Sequence, residues 1–418
     1  MARNRFMVFL VLLTFFVISL ITNILGPIIP DIIGNFHVTL AAAGALVFSF
    51  FIAYGVMSIP AGFLVERFTE KPVMIFAFAA ATAGSLSFAL VPGYKVAVIS
   101  LFVIGAGMAI LQVAINPLLR VAGGEEHFAF NSVVAQLVFG CASFFSPYIY
   151  SYLVLNLNHS PNLLLRELSR VTPAELPWVS LYWIFSAISA AMILVLWASR
   201  FPRVQHTDEE RPGTLQTYTS LMRRRLVWLY FFAIFAYVGC EQGTANWMSQ
   251  FLSQYHHLDP HQAGAAAVAW FWGLMTAGCV VGALLLKLFD GRWVLIGATT
   301  GAFISLSLAL FASGPIALVA FPVVGFFASV MWPILFSLAL NSLSQHHGSF
   351  AGILTTGIVG GAVLPAVIGR IGDRFGLRGG LLLLYLAFAF IFSVGFWARP
   401  LVNNATLRLK RSSLAPQA

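Results

Sequence analysis

The sequence predicts an all-α membrane protein in which twelve transmembrane helices form two six-helix bundles. The chain has 418 residues, of which 60% are hydrophobic and only 9% are charged, whereas soluble domains carry about 25% charged residues. Mean hydropathy is +0.89. The apolar residues fall in long windows, and a helix needs roughly 20 residues to cross the hydrocarbon layer. The windows divide into two sets of six on either side of a charged stretch.

Charged residues, glycines and prolines mark the limits of the twelve windows. The first set is predicted at residues 7–32, 41–65, 72–92, 96–121, 129–155 and 178–199. The second set is predicted at 226–254, 262–288, 293–312, 315–343, 349–370 and 379–399. The first window is too long for the core of a signal peptide and is read as a retained span.

These windows predict four parts of the chain. An N-terminal six-helix bundle would occupy 1–199 and a C-terminal bundle 226–400, joined by a charged cytoplasmic linker at 200–225. Residues 401–418 would form a cytoplasmic tail. We expect a monomer, since nothing in the sequence demands an oligomer.

The distribution of Lys and Arg predicts the orientation of the chain. With the amino terminus inside, the outer connections would hold only Lys95, Arg166, Arg170, Arg370, Arg374 and Arg378, out of 23 Lys and Arg residues. Excess Lys and Arg on the cytoplasmic side sets membrane topology, so both termini are predicted in the cytoplasm of a cell with a bacterial-type inner membrane. The net charge of +9 is explained by this bias, and the lipid bilayer is the expected partner, not nucleic acid.

The two halves echo each other in sequence. Gly62 to Arg67 closes the second window, and Gly282 to Lys287 closes the eighth, about 220 residues later. Phe15-Phe16 and Phe231-Phe232 repeat at nearly the same offset. Such duplication is typical of two-bundle carriers, in which the substrate site lies at mid-membrane between the halves.

Glu241 is the most informative single residue. It lies near the middle of the seventh window, where an ionisable group costs roughly 2.5 kcal/mol or more unless it faces a cavity or a partner. Gln242 and Asn246 are four residues apart and share one helix side next to it. Glu241 is therefore a candidate for cation coupling, and Gln242 and Asn246 for contacts with substrate hydroxyls. A purely structural buried carboxylate is the alternative.

Other amides occur inside the first half. Gln112 and Asn116 are four residues apart in the fourth window, and Asn23 and Gln136 lie in the first and fifth. Amides inside spans either hold helices together or bind a polar ligand; both readings stay open, with substrate binding favoured because the four would converge on one cavity. Asp31 lies near the outer end of the first window and is read as a helix-end or gate residue.

Tryptophans inside the windows point to the substrate. Trp247, Trp270 and Trp332 lie within spans, whereas tryptophans that anchor a protein at the membrane surface sit at the ends. Flat rings stack on the C–H faces of sugars while amides bind the hydroxyls. Interior tryptophans together with Asn and Gln therefore favour a carbohydrate, with simple core packing as the alternative.

Charges at the inner end of the second window could act as a conformational latch. Glu66 and Arg67 lie where the span meets the cytoplasm, and Lys71 follows in a short turn. Such charges can pair with a neighbouring helix end in one conformation and separate in another. Membrane anchoring by positive charge is the alternative and is compatible with this role.

The sequence lacks the patterns of an enzyme or a metal protein. Its three cysteines lie apart inside apolar windows, so neither a disulfide framework nor a metal-ligand spacing is present. His256, His257 and His261 fall near Pro260 and are read as a solvated outer loop. No nucleophile with a base and no phosphate loop is found, so neither cofactor nor catalysis is expected.

At this point the sequence resembles the major facilitator superfamily in its cytoplasmic loop motif, Gly62-x-x-x-Glu66-Arg67-x-x-x-Lys71. It is more narrowly similar to the fucose:proton symporter family, which includes glucose/galactose permeases. The segments that carry this similarity are Ile59-Pro60-Ala61-Gly62, Ala114-Ile115-Asn116-Pro117, Tyr237-Val238-Gly239-Cys240-Glu241 and Trp332-Pro333-Ile334-Leu335.

The resemblance implies an alternating-access importer of a monosaccharide such as fucose, glucose or galactose, coupled to H⁺ or Na⁺. It also implies a departure, because the positions of Asn23 and Gln112 are carboxylates in proton-coupled fucose permeases. Amides cannot carry a proton, so coupling would rest on Glu241, use another ion, or be absent. A sugar uniporter and a drug/proton efflux pump of the same superfamily are the alternatives, and a non-transporting sensor or a membrane enzyme would need features that we do not find.

Overall fold

A computed structural model describes residues 5–124, 127–158, 162–201, 215–343, 345 and 347–401, with the backbone alone at 66, 128, 129, 215, 216, 347 and 348. The described residues are almost entirely helical, which confirms the predicted all-α class. In the first half the helices are α1 (Arg5–Thr22), α2 (Leu25–Phe36), α3 (Leu40–Phe68), α4 (Glu70–Leu90), α5 (Tyr94–Gly123), α6 (Phe128–Asn156), α7 (Leu163–Val171) and α8 (Ser180–Ala198). The remainder are α9 (Leu215–Met222), α10 (Arg225–His256), α11 (Ala265–Leu288), α12 (Gly291–Phe311), α13 (Gly314–Ala328), α14 (Met331–Leu340), α15 (His347–Thr356), α16 (Gly360–Leu381) and α17 (Leu383–Trp397).

The helices reproduce the predicted spans, with a difference at the last one. Eleven helical stretches of the described chain are long and apolar enough to cross a membrane, and α17 is a shorter apolar helix at the place of the twelfth. Gly376 explains the shortfall, because its φ of 77° turns the chain inside α16 and this left-handed conformation favours glycine. Residues 377–397 together therefore form the twelfth span, and the eleventh extends past its predicted end at 370.

Several spans are interrupted. The first breaks between α1 and α2 at Asn23 and Ile24, and the tenth breaks between α13 and α14 at Ser329 and Val330. Irregular backbone at membrane depth is tolerated where it is enclosed by protein or lines a cavity. Both breaks are enclosed in this way, since Asn23, Ile24, Ser329 and Val330 are all buried.

Two short helices lie where the sequence predicted none. The amphipathic α7 begins after Asn162, whose side chain accepts a hydrogen bond from the Leu164 amide, a usual way to start a helix. The helix α9 occupies part of the predicted linker, which is therefore not solvated coil throughout.

The helix bounds repeat between the two halves. A shift of 220 residues carries Arg5–Phe36 onto Arg225–His256. The same shift carries the start of α5 onto the start of α13, and Gln112 onto Trp332. The repeat thus extends the sequence echo from short motifs to whole spans, and it places Gln112 and Trp332 at equivalent positions.

Helix packing follows this division. In the first half α5 packs against α3 and α4, and in the second α13 packs against α11 and α12. The most extensive contacts between the halves are those of α3 with α16, α6 with α11 and α2 with α10. The exact domain limits at 199 and 226 stay predictions.

Candidate functional site

The Glu241 carboxylate lies near the middle of α10. All residues of this helix from Ala236 to Ser249 are buried except Glu241, which is partly exposed. The Tyr237 hydroxyl donates to Glu241 Oε2 at 2.6 Å, and the Gln242 amide donates to Glu241 Oε1 at 3.0 Å. Both carboxylate oxygens thus accept a hydrogen bond from a neutral donor, which stabilises the charged form without an opposite charge.

A line of amides continues from the carboxylate along α10. Asn246 Nδ2 donates to Gln242 Oε1 at 3.1 Å and to the Gln242 carbonyl at 2.8 Å. Gln242 and Asn246 are only 5% and 3% exposed. Glu241, Gln242 and Asn246 therefore form one connected polar chain that runs from the partly exposed carboxylate into the packed interior.

Aromatic rings form a wall beside this chain. The Trp332 ring lies 6.0 Å from that of Tyr237 and stacks on Phe336 at 5.8 Å. The Cys279 thiol of α11 is near enough to interact electrostatically with Glu241. Tyr237 and Cys279 had no role assigned from the sequence, although Tyr237 precedes Glu241 by one helical turn and so could have been found by spacing.

Gln112 and Asn116 form a second polar group in α5. The Tyr54 hydroxyl of α3 donates to Gln112 Oε1. Asn116 Nδ2 donates to the Gln112 carbonyl at 3.0 Å, and the Asn116 residue is exposed.

The residues of α3 connect this group to the amides of α10. Phe51 lies three residues before Tyr54 on α3. A Cβ placed on Gly361 of α16 would lie 3.0 Å from Gln242 Cγ and 3.4 Å from Phe51 Cδ1. Gln242 of α10 and Phe51 of α3 therefore pack against the same glycine of α16.

The remaining predicted residues lie in other surroundings. Asn23 donates to Ser143 Oγ of α6 at 2.8 Å and is buried. Gln136 is exposed, and half-exposed Trp270 packs on Phe144 at 5.4 Å. Trp247 is fully buried and donates through Nε1 to the Pro365 carbonyl at 3.0 Å.

Asp31 joins the two halves at one end of the molecule. We call this end, with the connections at 37–39 and 257–259, the outer end, because the sequence predicts that it faces outside. Asp31 Oδ2 accepts from the Tyr150 hydroxyl at 2.5 Å, and Asp31 Oδ1 lies 2.8 Å from His261 Nε2. His261 was predicted to be in a solvated loop; instead it belongs to the start of the eighth span and contacts the first.

Further contacts close the outer end. Asp373 of α16 accepts from the backbone amides of Leu40 and Ala41 at 2.8 and 3.0 Å, which caps the start of α3 across the interface. Gly26 of α2 lies so close to α10 that a Cβ would overlap the Ala245 carbonyl oxygen. The hydrogen bonds that the structure describes between the two halves lie at this end.

The predicted latch lies at the opposite end. Lys71 Nζ donates to the carbonyls of Trp197 and Ser199, each at 2.8 Å, so it caps the last turn of α8 in its own half. The Arg67 guanidinium lies 5.4 Å from the Phe68 ring. The Glu66 side chain lies outside the described part of the structure.

The amino-acid sequence of the chain is similar to those of known proteins. The sequence profile of the Major Facilitator Superfamily matches residues 11–364. A protein of Brucella abortus biovar 1 (strain 9-941) named glucose/galactose transporter is 29% identical over 388 residues, 91% of this chain and 90% of the relative. The L-fucose-proton symporter of Escherichia coli (strain K12) is 28% identical over 400 residues, 90% of each chain.

Solved structures share the fold. FucP, a Major Facilitator Superfamily transporter in the outward conformation, aligns with a TM-score of 0.65 at 23% identity, over 94% of this chain and 98% of FucP. A bacterial homolog of the human lysosomal transporter Spinster, inward-facing and occupied, aligns with a TM-score of 0.80 at 13% identity, over 95% and 97%. The predicted fold is thereby confirmed.

Proposed function

Because the chain belongs to the Major Facilitator Superfamily, we propose that it imports a monosaccharide by alternating access, coupled to the entry of H⁺ or Na⁺. Family membership confirms the prediction of a multi-pass transporter, not an enzyme. A hexose such as glucose, galactose or fucose is supported by the names of the relatives that align along nearly the whole chain.

The observation that carries the proposal is the polar chain of α10 beside an aromatic wall. Gln242 and Asn246 offer amide groups for sugar hydroxyls, and Trp332 offers an aromatic ring beside Tyr237, the hydrogen-bond partner of Glu241. Gln112 and Asn116 would contribute from the first half. A mostly apolar wall with a few placed polar groups is the usual form of a site for a small polar ligand.

The other predicted substrate residues have weaker support. Asn23 is engaged with Ser143 and would serve the site by holding the broken first span in place. Gln136 and Trp270 lie on α6 and α11, one of the helix pairs that join the halves, and would contact substrate from the sides. Trp247 is enclosed, so it would stack on sugar only in a conformation that parts its neighbours.

Glu241 is the proposed coupling group. Moving a charged carboxylate through the water-free interior of the protein at membrane depth is costly in free energy. A cation that neutralises Glu241 when sugar is bound would allow the loaded carrier to reorient and would hold back the empty, charged one. Uniport would follow if sugar moved regardless of the state of this carboxylate.

We further propose that this structure is the inward-facing state. The contacts of Asp31 with His261 and Asp373 with Leu40 join the halves at the outer end, and that of Gly26 with Ala245 joins them between this end and Glu241. With both termini in the cytoplasm, the site would then open inward. Release of this closure, with a matching closure at the inner end, would complete the transport cycle.

The proposal is tested by sugar counterflow in vesicles that contain the purified protein. We expect labelled hexose to accumulate transiently when the vesicles are preloaded with the same unlabelled sugar, and we expect that sugar to raise the unfolding temperature. Failure of a panel of monosaccharides in both assays would contradict the proposal. Protection by apolar amphiphiles alone would favour the efflux pump.

A further inference from the structure

Gln242 lies between the carboxylate and the buried end of the polar chain. Its Nε2 donates to Glu241 Oε1 at 3.0 Å and its Oε1 accepts from Asn246 Nδ2 at 3.1 Å. The Gln242 side chain is thus the single link of this chain between Glu241 and Asn246. Each of its two amide ends has one partner, so turning the amide about its last bond exchanges a donor for an acceptor at both ends.

The charge on Glu241 fixes this orientation. A carboxylate can only accept hydrogen bonds, so the NH₂ group of Gln242 must face it and the oxygen must face Asn246. A buried polar atom without a partner costs about 1–3 kcal/mol, and Gln242 is 5% exposed. The opposite orientation, with two oxygens face to face, is therefore excluded while Glu241 is charged.

We propose that Gln242 transmits the protonation state of Glu241 to Asn246 by turning its amide. This inference rests on the proposed transport function, and it assigns the coupling ion as H⁺. A proton from the medium binds Glu241 Oε1, which then donates instead of accepting. Gln242 turns its oxygen to this new donor and its NH₂ group to Asn246. Asn246 must in turn present its own oxygen to Gln242, which ends its hydrogen bond to the Gln242 backbone carbonyl, and no proton leaves either amide.

The far end of the chain lies where this change matters. The Asn246 Cα would lie 3.3 Å from a Cβ placed on Gly26, so Asn246 stands at the contact between the first and seventh spans. Reversal of its amide changes which groups face a sugar hydroxyl or the broken first span. Protonation at Glu241 thereby alters sugar binding without direct contact between the carboxyl group and the sugar.

Few other groups near Glu241 could transmit its change of charge. The ionisable groups that act on Glu241 among the described residues are the Tyr237 hydroxyl on its own helix and the Cys279 thiol on α11. On the other helices that pack against α10, the described residues place no charged side chain in hydrogen-bond or ion-pair contact with the carboxylate. The stem of Gln242 packs on Gly361, where an added Cβ would lie 3.0 Å from Gln242 Cγ, so a turn about the last bond moves the amide without moving the stem.

The test measures hexose affinity at mildly acid and mildly alkaline pH in the wild-type protein and in the variants Gln242→Met, Tyr237→Phe and Asn246→Leu. We expect the affinity of the wild-type protein to change by about tenfold between these conditions. Gln242→Met keeps the length of the side chain and removes both hydrogen bonds, so its hexose affinity should no longer depend on pH. Tyr237→Phe removes the other bond to Glu241 and should shift the midpoint while keeping the dependence.

Asn246→Leu provides a second check if Gln242→Met does not fold. It leaves the bond between Gln242 and Glu241 in place but removes the far partner, and should also abolish the dependence on pH in whatever hexose binding remains. Persistence of a tenfold dependence in either folded variant overturns the inference. Absence of hexose binding in the wild-type protein would instead contradict the proposed function, and dependence on Na⁺ in place of pH would contradict the assignment of the ion.

Discussion

Gly26→Ala should open the outer end of the carrier. A Cβ at this position would overlap the Ala245 carbonyl oxygen and would lie 3.2 Å from the carbonyl carbon and 3.3 Å from Asn246 Cα. These are backbone atoms of a long helix, so they cannot turn aside as a flexible side chain would. Overpacking of this kind costs about 1–3 kcal/mol. The penalty applies only while α2 and α10 are in contact, so it should shift the equilibrium from the closed toward the open outer end by about 5–150-fold.

Distance measurements between spin labels can detect this shift. Labels on Lys95→Cys and Arg374→Cys, in a chain without its native cysteines, would report the separation of the halves, because both side chains are exposed near the outer end. We expect Gly26→Ala to increase the long-distance fraction. Gly34→Ala is the matched control on the same helix, since a Cβ there has no atom within 4 Å. Identical distributions for folded Gly26→Ala and wild-type protein would refute the reasoning.

Two further predictions concern the outer closure and the aromatic wall. Asp31→Asn weakens the link to His261, so we expect a longer separation between the two labels in the same experiment. Glu167→Gln alters an exposed pair within one helix and should leave the distances unchanged. Equal effects of the two substitutions would show that Asp31 is not a gate. Trp332→Ala should weaken hexose binding by about tenfold through the loss of stacking. Trp247→Phe should instead lower the unfolding temperature, because it removes the hydrogen bond to a carbonyl of α16. Thermal shifts with and without hexose measure both effects, and the opposite pattern would exchange the roles of the two rings.

The sequence was sufficient for the parts of the fold that depend on local hydrophobicity. Windows of about 20 apolar residues must be helical in a membrane because the backbone has no other hydrogen-bond partners there. The break at Asn23 was missed because it lies inside an apolar run. The turn at Gly376 falls within the charged connection predicted at 371–378, so the sequence located it, although not at a particular residue.

The site was predictable to the extent that its chemistry lies along one helix. Glu241, Gln242 and Asn246 were identified from depth and spacing, and they are hydrogen-bonded to one another. The contact of Asp31 with His261 was missed because it joins residues 230 positions apart. Only the packing of the two halves creates it, and local spacing contains no information about that packing.

Uphill transport by Glu241→Gln tests the central claim most directly. Gln keeps the size of the side chain and its acceptor oxygen but cannot be ionised. In vesicles with a proton gradient we predict that the wild-type protein accumulates hexose against its gradient. The variant should exchange hexose at equal concentrations but fail to accumulate it. Accumulation by Glu241→Gln at the wild-type level would contradict the account.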